Sequence, residues 1–169
     1  MGPLRLIRNY AFLLSSALLV LGALSVFLLS PGNTRGDEKK FADPWASSQI
    51  LEPGALAGEL TRKDGIPPTV VYVGFHTLFR GGHIAGASFG GTASTEPGLA
   101  ALRKGADSLP RSTSLVIYCG CCPFDKCPNI RPAYTTFHTM GFKKLRVLVL
   151  PVNFATDWVE KGYPIQKDM

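Results

Sequence analysis

The amino-acid sequence predicts an α/β domain preceded by one N-terminal transmembrane helix. Three observations lead there. Residues 10–29 are twenty positions without a charge. Beyond them, short continuously apolar runs rich in β-branched residues alternate with stretches of helical spacing. All four cysteines then fall within nine residues, directly behind one of those apolar runs.

In chain order, residues 1–9 form a short flank carrying Arg5 and Arg8. Residues 10–29, rich in Leu, Ala and Val, match the ~20 residues that a helix needs to cross ~30 Å of hydrocarbon. A cleavable signal peptide would also place Arg5 and Arg8 ahead of an apolar run. This run is long for one, however, and Leu28-Leu29-Ser30-Pro31 supplies no small-x-small cleavage pattern, so the segment reads as a retained signal-anchor. Arg5 and Arg8 on one side nearly balance Arg35, Lys39 and Lys40 on the other. The short arginine-bearing flank reads as an export signal, which puts the domain on the extracytoplasmic (periplasmic) side of the cell membrane, with lipid as the partner of the helix.

Residues 30–45 read as a linker: Pro31, Gly32, Asn33, Gly36 and Pro44 surround the charge run Asp37-Glu-Lys-Lys40. The domain then occupies residues 46–169, and no internal repeat divides it. The formal charge of +6 drops to +3 for residues 37–169, with fifteen Lys and Arg against twelve Asp and Glu. No Lys/Arg cluster is interleaved with aromatics, so nucleic acid is not an expected partner.

Within the domain, Thr69–Val73, Leu115–Cys119 and Arg146–Leu150 read as strands of a parallel sheet buried on both faces. Ser48–Leu51 and Ala87–Phe89 are shorter strand candidates. Ala55–Arg62, Leu99–Ala106 and Ile130–Met140 have helical spacing, the last with Asn129 as the expected N-cap and Gly141 as the C′ residue. In open sheets of this kind the site lies beyond the carboxyl ends of the strands, and the cysteine loop begins at such an end.

Three landmarks resemble the rhodanese-like (sulfurtransferase) domain family in order and spacing. They are Gly82-His-Ile-Ala-Gly-Ala87, then Val116-Ile-Tyr-Cys119 ahead of a loop and helix, then Trp158-Val-Glu-Lys-Gly-Tyr-Pro164. The resemblance implies a central five-stranded parallel sheet flanked by helices, a sulfurtransferase ancestry, and Cys119 as the persulfide-carrying residue. The sequence departs from the family in three places. Tyr72 and Gly74 stand where an aspartate and an arginine are usual, Asn153-Phe154 replaces a glycine pair, and ten residues separate Cys119 from Ile130. The sequence therefore reads as a divergent member with an extended cysteine-rich loop, and its activity does not follow from the fold alone.

The chemistry expected of the loop comes from its thiols. A strand-to-helix turn offers N–H groups and a positive helix end to a thiolate, which makes Cys119 the expected accessible nucleophile. Cys121, Cys122 and Cys127 are its candidate catalytic partners. Lys126 and Arg131 are candidate binders of an anionic sulfur donor, or else solvated loop charges. Pro123, Pro128 and Pro132 remove N–H donors, which argues against a tight oxyanion cradle, and the phosphatase cysteine-x5-arginine spacing is absent. Three readings of Cys119-x-Cys121-Cys122-x4-Cys127 are open: persulfide or thiol redox chemistry, a thiolate site for zinc or another soft metal, or a disulfide from Cys127 to Cys121 or Cys122 that staples the loop.

The first reading makes the partner a small sulfur-donor molecule or a thiol protein. The others fit a non-catalytic accessory subunit of a larger membrane complex. No resident cofactor is expected, nor a metal outside the second reading. His83 is expected to satisfy backbone groups; Tyr72, Phe75, Phe79 and Trp158 are expected in the core. No serine-histidine-acid set, carboxylate pair or nucleotide-binding glycine loop is present.

Overall fold

The computed structural model describes residues 43–168. Among these no helix is long and apolar enough to cross a membrane, and the span expected at residues 10–29 lies outside them.

The chain enters through a 3-10 turn, Ser47–Gln49, into β1, Ile50–Leu51. Helix α1, Pro53–Thr61, has proline in its first turn, where a missing N–H is tolerated. Strand β2, Thr69–Tyr72, is followed by α2, His76–Gly81, and then by the two-residue strands β3, His83–Ile84, and β4, Ser88–Phe89. Helix α3, Glu96–Ala106, is capped by Thr95, whose side chain accepts from the Gly98 N–H. Strand β5, Ser114–Tyr118, leads through the cysteine loop to α4, Ile130–Thr139, and then to β6, Lys144–Leu148. Gly141, at φ 89°, turns the chain out of α4 in the left-handed conformation that suits glycine. A π-helical turn, Ala155–Val159, and β7, Ile165–Gln166, complete the domain.

Five strands form one sheet in the order β1-β6-β5-β2-β4, every pair parallel, with β5 in the middle. β3 and β7 make a separate antiparallel ribbon, His83 opposite Gln166. The sheet is buried on both faces, so its middle strands carry runs of consecutive apolar residues, Val70–Tyr72 and Leu115–Tyr118, instead of alternating. Val71, Leu115, Ile117 and Val147 face a cluster with Leu102 of α3 and Phe137 of α4. Val70, Tyr72, Val116 and Tyr118 face the other cluster, with Leu56 of α1, Phe79 of α2 and Trp158.

The expected sheet and three helices are therefore present, with ends shifted by at most three residues. Helix α2, the ribbon and the π turn were not expected. Phe75 leaves the predicted core: it is 50% exposed, because it stands just ahead of α2 and clear of the sheet. His83 takes the role read for it, with Nδ1 2.8 Å from the Phe79 carbonyl.

Candidate active site

Helices α2 and α4, which follow the adjacent strands β2 and β5, pack on opposite faces of the sheet. That divergence opens a crevice at the strands' carboxyl ends, the place where open α/β sheets hold their ligands. Gly74 after β2 and Cys119 after β5 meet in it. A Cβ added to Gly74 would lie 3.1 Å from Cys119 Sγ, and 2.5 Å from the hydroxyl oxygen of Tyr72, whose ring fills the space a longer residue would need.

Leu115 to Tyr118 are fully buried, so β5 is a fixed rail that holds Cys119. Pro123 then starts a 3-10 turn, Phe124–Lys126, closed by the Cys127 N–H donating to the Phe124 carbonyl at 3.2 Å. Phe124 packs on Trp45, ring centroids 5.6 Å apart, which pins the far side of the loop. This turn carries Cys127 back to Cys119, and the four thiols converge. Cys119 Sγ lies 3.2 Å from Cys121 Sγ, and Cys121 Sγ lies 3.3 Å from Cys122 Sγ. The sulfurs of Cys119, Cys121 and Cys127 are all within 4.8 Å of one another.

All four cysteines are free thiols. The staple expected from Cys127 to Cys121 or Cys122 is not formed. Cys119, expected to be accessible, is buried along with Cys127; Cys121 and Cys122 are the half-buried members.

Burial and partners divide the proton among these thiols. Cys127 is drawn down to about 6, first by its hydrogen bond with Cys119 and further by the N–H groups of Asn129 and Ile130 at the start of α4. Cys119 moves the opposite way, well above an ordinary thiol, because it shares that hydrogen bond and is buried. Burial, then the hydrogen bond with Cys121, pushes Cys122 up to about 12. Cys127 is thus the thiol of the cluster drawn toward the thiolate. One thiolate step in the ultraviolet absorbance is expected near pH 6. The signal should be lost as pH falls through that value and should be missing in Cys127→Ser. A first step only above pH ~8 would contradict this arrangement.

Asn129 was expected to cap α4, but its side chain makes no cap hydrogen bond. Fully buried, it accepts from the Ser94 N–H at 2.9 Å, and its amide points at Cys119 Sγ at 3.6 Å. It ties the loop after β4 to the cysteine at the end of β5, and nothing in the local sequence separates that role from capping. Arg131 is engaged by Asp43, at 2.7 and 2.9 Å, while Lys126 lies exposed on the 3-10 turn. Neither lines the cavity beside the loop.

That cavity, of about 540 Å³, is lined by Gly120 and Cys121 of the loop together with Leu78, Gly82, Phe154 and Val159. Tyr72 also lines it, and the Tyr72 hydroxyl is the one buried side-chain polar atom without a hydrogen-bond partner among the described residues. Its ionisation is strongly opposed, first by burial and then by the neighbouring thiols, so it remains an O–H donor.

No protein-family profile matches the sequence, and no curated protein is significantly similar to it. Solved structures are similar in fold. The rhodanese-like domain of the Alr3790 protein from Anabaena sp. is 20% identical over 70% of this chain and 79% of its own, with a TM-score of 0.52. The BH2092 protein from Bacillus halodurans is 16% identical over 71% of this chain and 77% of its own, with a TM-score of 0.55. EanB, in complex with hercynine, is 18% identical and matches 70% of this chain with 27% of its own, TM-score 0.52. The described domain therefore has a rhodanese-like fold. In this chain four thiols gather beyond the middle strand of that sheet.

Proposed function

We propose that the four-cysteine loop carries out sulfur chemistry: it accepts sulfane sulfur as a protein persulfide, or cycles between dithiol and disulfide, for a small sulfur donor or a thiol protein. The observation that carries this reading is the convergence of the thiols. Cys119 and Cys121, at 3.2 Å, need only a short approach to bond, and Cys127 supplies a thiolate near neutral pH. Any sulfur bound at one thiol is therefore within reach of a second. The uncharged run at residues 10–29 supports a retained signal-anchor, with the reaction on the extracytoplasmic side of the membrane.

The same convergence favours one second reading. Cys119, Cys121 and Cys127 form a set within 4.8 Å, compatible with the ~2.3 Å metal–sulfur bonds of a thiolate site for Zn²⁺ or another soft ion. Intact mass of the full-length chain, purified without reductant and then treated with a persulfide donor, separates the two. The expected product is about 32 Da heavier as a persulfide or about 2 Da lighter as a disulfide. A chain that leaves purification with a tightly held metal, and whose thiols the donor does not modify, would replace the sulfur-transfer reading with the metal one.

A further inference from the structure

The cavity beside the loop is unlike a site for a small inorganic anion. Its rim is apolar: Leu78, Val159 and Ile165 all line it and remain 40–49% exposed. Lys167 is the one charged residue in its wall, and Cys121 is the one cysteine. A volume of about 540 Å³ lies within the ~300–1,000 Å³ typical of pockets for organic ligands. Pro123 and Pro128 remove two of the N–H donors that an anion-binding loop would need. A free dianion would meet a single cation and leave most of this space unfilled.

We infer that the cavity binds a low-molecular-weight organic persulfide with an apolar body, and that Cys121, not Cys119, takes its sulfane sulfur. This rests on the sulfur-transfer reading above and adds the donor class and the receiving thiol. The Cys121 thiolate attacks the outer sulfur of R–S–SH. The new bond joins Cys121 Sγ to that sulfur, the R–S–S bond breaks, and R–S⁻ leaves with the electron pair, so the products are Cys121–S–SH and a thiolate. The Cys121 proton leaves to a base in the solvent that reaches this half-buried thiol.

Two features fit this assignment. Tyr72 lines the cavity, and its hydroxyl, buried and without a partner, is the O–H donor left for the outer sulfur of the new persulfide. Lys167, exposed at the wall, offers a counter-charge to an anionic group on R.

The test uses the full-length chain with two probes, benzyl persulfide and thiosulfate, and locates the added sulfur by peptide mass mapping in acid without reductant. Benzyl persulfide should label Cys121 at least about tenfold faster than thiosulfate labels any cysteine. Cys121→Ser should slow uptake by about 100-fold, and in Cys119→Ser the first added sulfur should still map to Cys121. Ala155 is exposed in the cavity wall, so Ala155→Phe should slow benzyl persulfide by about tenfold without disturbing the core. Tyr72→Phe should slow uptake by about tenfold while the thermal midpoint stays unchanged, since the lost hydroxyl has no partner to orphan.

Uptake that persists in Cys121→Ser and stops in Cys119→Ser would overturn the assignment while leaving sulfur transfer standing. So would thiosulfate reacting as fast as benzyl persulfide. No sulfur on any cysteine from either probe would overturn the broader reading as well.

Discussion

Replacing Trp158 with Ala is expected to destabilise the domain by about 3–5 kcal/mol, a large share of the ~5–15 kcal/mol that holds a typical domain folded. Trp158 is fully buried in the cluster that covers one face of the sheet, together with Val70, Val116, Tyr118 and Leu148. Its indole N–H donates to the Pro164 carbonyl at 3.0 Å, and its ring meets Tyr163 edge-on at 5.1 Å. The substitution therefore empties a cavity and also releases the turn that returns the chain to β7. Thermal unfolding of the full-length chain followed by circular dichroism should show a midpoint roughly 10–20 °C lower. Phe75→Ala is the matched control. Half exposed, it should change stability by no more than about 0.5 kcal/mol. A Trp158→Ala protein that melts with the wild type would mean that this face of the sheet has another anchor.

The stretch from Trp158 to Pro164 was legible in the sequence, and so were strands β2, β5 and β6, because two-sided burial writes a continuous apolar run. Helix α2 was not. Its six residues, His-Thr-Leu-Phe-Arg-Gly, are less than two turns, too few to display a period. The β3–β7 ribbon joins segments of two residues from distant parts of the chain, a pairing that only tertiary packing decides.

The site was legible as a place and less so as a mechanism. The cysteine cluster marks the end of the middle strand correctly. Which thiol is open and which is ionised depends on how far the 3-10 turn carries Cys127 back, and on the N–H groups of Asn129 and Ile130 that await it. The departures at Tyr72, Gly74 and Phe154 read in the sequence as missing features. In the structure they are exchanges of bulk: Tyr72 fills the space over Gly74, and Phe154 fills the space over Gly120.

The second of these exchanges yields a sharper expectation than any single cysteine change. Gly120 stands between Cys119 and Cys121, and its carbonyl accepts from the Phe154 N–H at 3.1 Å, which fixes the two segments against each other. A Cβ on Gly120 would lie 2.5 Å from Phe154 Cβ and 3.4 Å from Phe154 Cα. Neither is the far end of a flexible side chain, so either the cysteine loop or the segment before the π turn must move. Gly120→Ala should therefore cost about 1–3 kcal/mol and spread the 3.2 Å contact between Cys119 and Cys121. Sulfur uptake from benzyl persulfide should fall by at least about tenfold.

Phe154→Gly removes the clashing Cβ, so in the double variant much of the Gly120→Ala penalty should disappear. A coupling of at least about 1 kcal/mol is expected, read as a thermodynamic cycle over the four proteins. Uptake should recover less completely, because losing the Phe154 ring also opens the cavity wall. If Gly120→Ala is as stable and as reactive as the wild type, the loop is softer than the packing implies. If the two changes instead add independently, Phe154 is not what makes glycine necessary at position 120.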